Sequence, residues 1–514
     1  MSSISNLGNY SMSRRSLGRI LLATGVTAGA TVTLSGRTLA NAAEAEPLPT
    51  IHTQKAYDPI ASDFHMRWTR ADARQIMVTQ NDTTVAAGEN SMPESVTMPE
   101  IPVDFPVMNE EVWVWDTWSL TDARANQMSY KGWDVIFSLV APRSIGFDDR
   151  HQHARIGYFY RHSNAEPDTQ WTYGGYLFPD NTSISTTEWS GSTRLMQGNK
   201  VRVFYTATTF GTPRPGTAAK PAVIGTVEGQ IKATKDGVTF SKFGEHKTIL
   251  EPDGKWYQTK EQNPYFSFRD PFTFEDPAYP GKTFMVFEGT GAGVPGSPET
   301  LITEADLGYR EDDPYAESVD EVNAQGVFWQ RGNIGLAVAT DKKLTEWKML
   351  PPILTAYGVN DQTERPQMLI ENGNYYLFTI SHQYTYAAGL RGPDGVYGFV
   401  GKGIRSDFEP LNKSGLVLGS PTDLNLPSAR PEDPQPGQNP RQFQAYSHYI
   451  QPGGLVQSFI DNVEGRRGGT LSPTVKINYS GATSSVDYSF GDNGLGPYAY
   501  IPTNKRKTGV TYVK

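Results

Sequence analysis

Short apolar runs separated by turn-forming residues recur along most of this chain, and no other feature constrains its fold as strongly. From Val112 onward these runs are rich in β-branched and aromatic residues, and clusters of Gly, Pro, Asp and Asn separate them. Strands joined by tight turns have this pattern. The clearest runs cover residues 133–140, 154–160, 201–206, 283–287, 334–339, 375–380 and 396–400. Because strongly periodic helices are scarce, the pattern predicts an all-β fold, either a propeller or a sandwich.

A propeller would bring loops and inner strands from distant parts of the chain to one axial pocket. We predict one catalytic domain at residues 112–514, preceded by an N-terminal wrap at 43–111 that packs on it. The wrap is polar, contains proline and has a possible helix around 63–79. Residues 427–442, rich in Pro, Gln and Asn, predict a long surface loop and not a domain boundary, because strand patterns resume after them.

The first 42 residues resemble a bacterial twin-arginine signal peptide. Arg14 and Arg15 precede an apolar stretch of small residues at 20–34, and residues 40–42 form a small-x-small cleavage pattern. A general secretory signal with two coincidental arginines fits the same residues. Either predicts export. The apolar stretch is short for a membrane span, and no later segment is a transmembrane candidate, so we expect no membrane segment in the mature protein.

Composition narrows the classes of partner. The net charge is −9, and a surface of this sign repels a polyanion, so we expect no nucleic-acid partner. The chain has no Cys, which excludes disulfides and thiolate metal sites. Aromatic residues make up 11% of the chain, a content that suits both the filling of sheets and sugar-facing surfaces.

Asp116 lies within VWVWDTW at 112–118, an apolar and aromatic run. A lone acid in such a run is costly unless it is paired or functional. On a regular strand Asp116 would share a face with Val112 and Val114. A carboxylate hydrogen-bonded to a turn fits the same residues, so this motif alone leaves both interpretations open.

Two further acids each lie beside an arginine and near a proline. In RDP at 269–271, the proline is expected to hold Asp270 in an extended conformation, and Arg269 is expected to keep its carboxylate ionised. In DQTERP at 361–366, Glu364 precedes Arg365. Taken alone, both motifs also fit ion pairs at surface turns.

Together and in this order, the three motifs resemble glycoside hydrolase family 68, the levansucrases and inulosucrases. The resemblance runs from about Val112 to Val475. Supporting segments are WSGS at 189–192, FEGTG at 287–291, YSHY at 446–449, SFID at 458–461 and GGTLSPT at 468–474. The resemblance implies a five-bladed β-propeller with an axial pocket for sucrose.

The resemblance also implies a role for each matching residue. Asp116 would be the nucleophile, Asp270 the transition-state stabiliser and Glu364 the general acid/base. The implied substrate-binding residues are Trp115 and Trp189 as walls of the fructosyl site, Ser190 and Arg269 as polar contacts to the sugar, and Gln362, Arg365 and His382 on the glucosyl side. Gln362 and His382 resemble the pattern of Gram-negative members.

An enzyme of this kind would cleave sucrose by a retaining double displacement through a covalent fructosyl-enzyme. It would transfer the fructosyl unit to a growing fructan, to sucrose or to water. With a signal peptide, the implied location is secreted or periplasmic in a Gram-negative bacterium. Levan and inulin linkages remain open, because the acceptor-orienting loops cannot be read from the sequence.

Other propeller proteins are alternatives. Family 32 invertases share RDP but typically carry a WMNDPNG-like motif and an EC motif, and this chain has VWDTW and ERP instead. Family 43 enzymes lack the combination of WSGS and YSHY. A non-catalytic carbohydrate-binding propeller would not need three carboxylates. A simple sucrose hydrolase stays open.

We expect no cofactor. His151 and His153 form H-x-H and would share one face of a strand, but two histidines without a third ligand are more often structural. The adjacent Asp148 and Asp149 fit a solvated turn. Some members of the family hold a structural calcium, and Asp361 matches one ligand position, yet we predict no metal.

Overall fold

The computed structural model describes residues 50–78, 92–166, 170–212, 214, 216–422, 441–499 and 501. The predicted signal peptide at 1–42 lies outside the described residues, and so does most of the loop predicted at 427–442. Strands dominate the described part, and the runs predicted from the sequence fall on strands. The prediction of an all-β fold is confirmed.

The strands form the blades of a five-bladed propeller, as predicted. The N-terminal segment contributes β1 (Ala56–Tyr57), β2 (Met66–Arg67) and helix α1 (Arg70–Val78). Blade 1 contains β3 (Val112–Thr121), β4 (Ser129–Tyr130), β5 (Trp133–Pro142), β6 (Arg155–His162) and β7 (Thr172–Tyr176). Blade 2 contains β8 (Thr187–Leu195), β9 (Lys200–Thr208), β10 (Val223–Thr234), β11 (Gly237–Ser241) and β12 (Lys247–Leu250). Blade 3 contains β13 (Phe268–Glu275), β14 (Thr283–Thr290), β15 (Arg331–Ala339) and β16 (Trp347–Tyr357).

The remaining elements complete the propeller. Blade 4 and its outer edge contain β17 (Glu364–Glu371), β18 (Asn374–Ser381), β19 (Gly395–Gly401), β20 (Arg405–Ser406), β21 (Glu409–Pro410) and β22 (Leu416–Gly419). Blade 5 contains β23 (Ala445–Ile450), β24 (Leu455–Val463), β25 (Arg466–Leu471), β26 (Val475–Ser480) and β27 (Thr483–Val486). Two short helices, α2 (Glu304–Leu307) and α3 (Val319–Ala324), lie between β14 and β15. Short 3-10 turns occupy Glu94–Val96, Phe147–His153, Pro298–Thr300, Val327–Trp329, Gln383–Thr385 and Leu411–Lys413. No helix in the described ranges is long and apolar enough to cross a membrane.

Each blade is a meander that begins with its innermost strand. In blade 3, for example, β13 pairs with β14, β14 with β15 and β15 with β16, all antiparallel. Blades 1 and 2 are joined by a short parallel pairing of β3 with β8. The innermost strands β3, β8, β13, β17 and β23 contact one another around the axis. Residues that are far apart in sequence therefore meet there.

Strands in the middle of the blades are covered on both faces by neighbouring blades. Every residue of β15 is buried, and β5 is buried along nearly its whole length. Strands buried on both faces read as continuous apolar runs and not as alternating ones. This explains why the sequence showed unbroken runs at these places.

The N-terminal segment packs on the outside of the propeller. Strand β1 pairs with β20, and β2 adds a parallel strand to the outer edge of blade 3. Trp68 is fully buried, and its Nε1 donates to the carbonyl of Ser414 at 3.0 Å. Helix α1 begins later than residue 63, because Thr69 and Asp72 form a capping box in which each side chain accepts from the other's amide.

His52 connects this segment to the propeller from a buried position between two carboxylates. Its Nε2 lies 3.5 Å from Asp72 and its Nδ1 lies 3.4 Å from Asp407. Burial lowers the pKa of His52, but the two carboxylates outweigh burial and raise the pKa above its ordinary value.

Candidate active site

The innermost strands of all five blades lose regular pairing at one level. The register shifts between Trp115 and Trp118 in β3, Trp189 and Gly191 in β8, Arg269 and Phe272 in β13, Glu364 and Gln367 in β17, and Tyr446 and Tyr449 in β23. A bulge breaks the alternation of side chains along a strand and can re-aim a side chain. Side chains of residues that are adjacent in sequence can therefore both face the axis.

Four residues in these bulges adopt the left-handed backbone region. The φ angle is +47° at Asp116, +62° at Asp270, +46° at Arg365 and +54° at Ser447. Such a conformation is uncommon for residues other than Gly, costs about 1–3 kcal/mol and clusters at functional sites. The surrounding propeller must supply the contacts that hold these four residues in place.

The prediction that Asp116 shares a face with Val112 and Val114 is wrong. The two valines pack into a core cluster with residues of β5 and β6, whereas Trp115 and Asp116 both line the axial pocket. The left-handed backbone at Asp116 breaks the alternation of the strand.

The prediction that Pro271 holds Asp270 in an extended conformation is also wrong. A proline disfavours the right-handed helical region for the residue before it. The left-handed region, like the extended region, avoids that restriction, and Asp270 adopts the left-handed one. Arg365 does the same before Pro366.

A cavity of about 340 Å³ opens on the axis at the level of the bulges. The predicted site residues that line it are Trp115, Asp116, Trp189, Arg269, Asp270, Gln362, Glu364, Arg365 and His382. Ser190 does not line this cavity but hydrogen-bonds to Asp116, which does. The structure therefore gathers all of the predicted residues at one place, from blades 1 to 4.

Asp116 is fixed by two serine hydroxyls, one on each carboxylate oxygen. Ser190 Oγ donates to Oδ2 from blade 2, and Ser447 Oγ donates to Oδ1 from blade 5. Hydrogen bonds to an ionised acceptor are about twice as strong as neutral ones. Ser190, which was predicted to contact the sugar, is engaged with Asp116 here.

Asp270 is buried and bonded through both its backbone and its side chain. Its amide donates to Thr206 Oγ1 at 2.8 Å, and its carboxylate accepts from the Arg365 amide at 3.1 Å. Arg269 Nε lies 3.9 Å from the same carboxylate. Burial raises the pKa of Asp270, and Arg269 lowers it only in part. The prediction that Arg269 keeps Asp270 ionised therefore left out burial, which is the larger effect.

Glu364 accepts two short hydrogen bonds. Arg269 Nη2 donates to its Oε1 at 2.5 Å, and the Tyr446 hydroxyl donates to its Oε2 at 2.5 Å. The same arginine binds Glu288, a fully buried acid on β14. Glu364 thus sits between a guanidinium and a phenol, two donors that hold its carboxyl toward the cavity.

Arg365 was predicted to contact the glucosyl side, and its guanidinium holds backbone as well. Nη1 donates to the carbonyl of Ser447 at 2.5 Å, and Nη2 donates to the carbonyl of Thr117 at 2.7 Å. Together with its amide bond to Asp270, this one residue of blade 4 ties the bulges of blades 1, 3 and 5.

His382 is oriented by Asp394 and by stacking. Its Nδ1 lies 2.8 Å from Asp394, and its ring stacks on Tyr446 with centroids 3.6 Å apart. Burial lowers the pKa of His382, but Asp394, together with Glu364 and Asp461, outweighs burial and raises it. Gln362 lines the same cavity, and its backbone is fixed by a bond from its amide to Asn360 Oδ1 at 2.8 Å.

The histidine pair is not on a strand, so that prediction is wrong. Both histidines belong to the 3-10 turn Phe147–His153. His151 lines the cavity, with its ring centroid 5.7 Å from Trp115 and 6.1 Å from Trp189. In the described part of the chain, no three His, Cys, Asp or Glu side chains are grouped so as to hold a metal ion.

Several residues that complete the site had no predicted role. These are Arg150, His151, Glu288, Tyr446, Ser447 and Asp461. Glu288, Tyr446, Ser447 and Asp461 lie in the segments FEGTG, YSHY and SFID, which served only as support for the resemblance. These three segments were therefore the sequence signal that could have pointed to those four residues.

A second cavity of about 510 Å³ adjoins the first. The walls common to both are Trp189, Phe210, Arg269, Gln362 and Tyr384. Two aromatic side chains of the second cavity, Phe210 and Tyr265, are 37% and 45% exposed. The second cavity thus adds open space directly beside the site.

A family profile and two curated proteins all relate this chain to one family. The profile of glycoside hydrolase family 68, described as Levansucrase/Invertase, matches residues 58–502. A levansucrase of Gluconacetobacter diazotrophicus is 52% identical, over 98% of this chain and 88% of that protein. An extracellular sucrase of Zymomonas mobilis is 40% identical, over 82% of this chain and 94% of that protein.

Two solved structures have the same fold as this chain. The crystal structure of levansucrase from Gluconacetobacter diazotrophicus superposes with a TM-score of 0.84 at 55% identity, covering 89% of this chain and 96% of that one. The full-length β-fructofuranosidase of Microbacterium saccharophilum K-1 also gives 0.84, at 53% identity, with 89% of each chain covered.

Proposed function

The chain belongs to glycoside hydrolase family 68, the Levansucrase/Invertase family, and from this premise we propose that it is a levansucrase-type fructosyltransferase acting on sucrose. It cleaves the bond between glucose and fructose and passes the fructosyl unit to a growing fructan, to another sucrose or to water. The observation that carries this proposal is the meeting of Asp116, Asp270 and Glu364 in one cavity, from three different blades.

The three carboxylates differ in their surroundings in a way that suits three roles. Asp116, held by two hydroxyls and without a basic partner in hydrogen-bond contact, is the nucleophile. Glu364, next to a phenol that can relay a proton, is the general acid and then the general base. Asp270, fixed through its backbone, stabilises the sugar ring in the transition state.

The reaction proceeds in two displacements. Glu364 donates a proton to the glucosyl oxygen while Asp116 attacks the anomeric carbon of fructose, so that glucose leaves and a fructosyl ester forms. Glu364, now ionised, takes a proton from the acceptor hydroxyl, which attacks the same carbon and releases Asp116. Two inversions give net retention.

The walls of the cavity supply binding. Trp115 and Trp189 flank the fructosyl unit, while Gln362, Arg365 and His382 face the glucosyl unit. Arg269 reaches both the acid and the sugar. The second cavity, which shares Trp189 with the first, supports transfer to a sugar acceptor over hydrolysis alone.

The chemistry uses only carboxylates and protons of the chain, and we propose that it needs no cofactor. We also propose that the protein is exported, since residues 1–42 resemble a signal peptide and the relative from Zymomonas mobilis is named an extracellular sucrase. The resemblance of Gln362 and His382 to Gram-negative members favours such a bacterium as the source.

A simple β-fructofuranosidase is the second candidate, because the protein of that name from Microbacterium saccharophilum K-1 is 53% identical over 89% of the chain. The test is incubation of purified enzyme with sucrose over a range of concentrations, with free glucose and free fructose measured separately. We expect glucose to exceed fructose, with the difference found as fructan or oligosaccharide. Equal amounts of free glucose and free fructose at every sucrose concentration would instead favour the simple hydrolase. NMR of the product then identifies a levan or an inulin linkage.

A further inference from the structure

Asp394 is a fully buried acid behind the wall of the cavity for which the mechanism above has no role. It directly precedes β19, and its carbonyl accepts from the Ser420 amide at 2.8 Å. Among the described residues, the basic side chain that binds its carboxylate is His382, at 2.8 Å. A carboxylate at this depth is costly unless hydrogen bonds or an opposite charge stabilise it, so Asp394 and His382 form one unit.

Each carboxylate oxygen of Asp394 faces one nitrogen. Its Oδ1 accepts from the Gln383 amide at 2.6 Å, and an amide N–H can only donate. Its Oδ2 lies 2.8 Å from His382 Nδ1. Histidine is ordinarily a much stronger base than aspartate, so the proton between these two atoms belongs to the ring. His382 Nδ1 is therefore a donor, and Asp394 sets the tautomer.

The other nitrogen of His382, Nε2, is left for a ligand. The ring stacks on Tyr384 and Tyr446, with centroids 4.7 and 3.6 Å apart, and these contacts fix its plane. The bond to Asp394 then fixes which edge of the ring is held by the protein. The side chain lines the cavity, and no described residue hydrogen-bonds to Nε2.

The position of His382 indicates which part of the substrate Nε2 meets. Tyr446, on which the ring stacks, donates its hydroxyl to Glu364. Glu364 is the proposed acid that protonates the glucosyl oxygen, so His382 lies beside the leaving unit. A sugar hydroxyl can both donate and accept, and it can therefore bind Nε2.

We propose that Asp394 is a positioning residue that keeps a proton on His382 Nδ1, presents Nε2 to the glucosyl unit and so makes the enzyme selective for a glucosyl leaving group. The inference rests on the proposed function, in which His382 faces the glucosyl unit. Glu364 and Asp461 also act electrostatically on His382, and the variants below leave both acids unchanged.

The test is Asp394→Asn, which keeps the size of the side chain. The oxygen of asparagine replaces Oδ1 as acceptor for the Gln383 amide, because its NH2 group can only donate. The NH2 group then faces His382 Nδ1, which must accept and give up its proton. The ring is no longer a cation, and its hydrogen bond to the glucosyl unit loses the assistance of a charge.

Two substrates separate this effect from general damage. Sucrose is followed as glucose release, and methyl β-fructofuranoside, which needs a proton from the same acid but carries no glucosyl unit, is followed as methanol release. In Asp394→Asn we expect kcat/KM for sucrose to fall about tenfold, while kcat/KM for the methyl glycoside stays at the wild-type value. An equal fall with both substrates would overturn the inference, because Asp394 would then support only the fold or the acid.

The matched control is Asp276→Asn. Asp276 is also buried, and its carboxylate accepts from the Ala278 amide and the Tyr375 hydroxyl, each at 2.8 Å, away from the cavity. The same exchange is thus made in an acid with one backbone and one side-chain partner. It should leave kcat/KM for both substrates at the wild-type value.

A double-mutant cycle tests whether Asp394 acts through His382, and it needs sucrose alone. In the His382→Ala background, Asp394→Asn should not lower kcat/KM for sucrose further, since residues that act as a unit are not additive. A further loss as large as that in the wild-type background would overturn the inference.

NMR of the histidine nitrogens tests the wild type directly, and it decides if Asp394→Asn does not fold. The Nδ1 signal of His382, identified by its absence from His382→Ala, should be that of a protonated nitrogen. An unprotonated Nδ1 would overturn the inference. Failure of the proposed function looks different, because the wild type would then release no glucose from sucrose.

Discussion

Arg365→Met tests whether one guanidinium assembles the active site from three blades. Methionine fills a similar space but donates nothing to the carbonyls of Thr117 and Ser447. Arg365 is only 6% exposed, so water cannot readily replace the lost donors. The substitution should therefore affect both the stability of the propeller and the position of the reacting groups.

The expected size follows from the contacts. A hydrogen bond to a charged group contributes about 1.5–3 kcal/mol, so the loss of two costs about 3–6 kcal/mol. An unfolding entropy of about 2.1 cal/mol/K per residue amounts to roughly 1 kcal/mol/K for a chain of this length, so Tm should fall by about 3–6 °C. The kcat should fall by about 100-fold or more, because a displacement of about 1 Å at the site has that effect.

Arg405→Met is the matched control. Arg405 is a fully buried guanidinium that donates to the carbonyls of Phe64, Pro351 and Pro352, away from the cavity. Because it loses three such hydrogen bonds and not two, Arg405→Met should lower Tm at least as much, while kcat stays close to that of the wild type. Calorimetry gives Tm, and initial rates of glucose release well below both transitions give kcat. A wild-type kcat in Arg365→Met, or an equal loss of kcat in both variants, would refute the reasoning.

Three further sets of substitutions have expected outcomes. Asp116→Asn, Asp270→Asn and Glu364→Gln should each nearly abolish glucose release from sucrose while circular dichroism stays unchanged; a near-normal kcat in any of them removes that residue from the mechanism. His382→Ala should shift the ratio of transfer to hydrolysis or the polymer length, measured by chromatography, and an unchanged product profile would contradict its role on the glucosyl side. For His52→Gln the sign follows from the raised pKa: the stabilisation by His52 is fully present below about pH 6.5 and is lost as pH rises through the higher pKa of the folded state. The difference in Tm between wild type and His52→Gln should therefore be larger near pH 6 than near pH 9, and equal differences would contradict the assignment.

The strands could be predicted because they are buried on both faces, and burial leaves its mark on the sequence as continuous apolar runs. The signal failed where the backbone leaves regular geometry. Strict alternation placed Asp116 with Val112 and Val114, whereas the bulge in β3 turns it into the cavity beside Trp115. A bulge depends on pairing with a neighbouring strand, which local sequence does not state.

The resemblance to a family predicted more of the candidate site than the sequence pattern alone. It predicted three carboxylates that meet in one cavity but not the contacts that orient them. Ser447 and Tyr446 bind Asp116 and Glu364 from blade 5, far along the chain, and Glu288 accepts a hydrogen bond from Arg269. These partners are set by the closure of the propeller.

The central claim, that Asp116 forms a covalent bond to fructose, is tested most directly by trapping the intermediate. Glu364→Gln is mixed with β-fructofuranosyl fluoride, whose leaving group needs no general acid, while the missing base slows the second step. Mass spectrometry of the digested protein should then show one added fructosyl unit on the peptide that contains Asp116. An adduct on another residue, or complete turnover by the Asp116→Asn variant, would contradict the account.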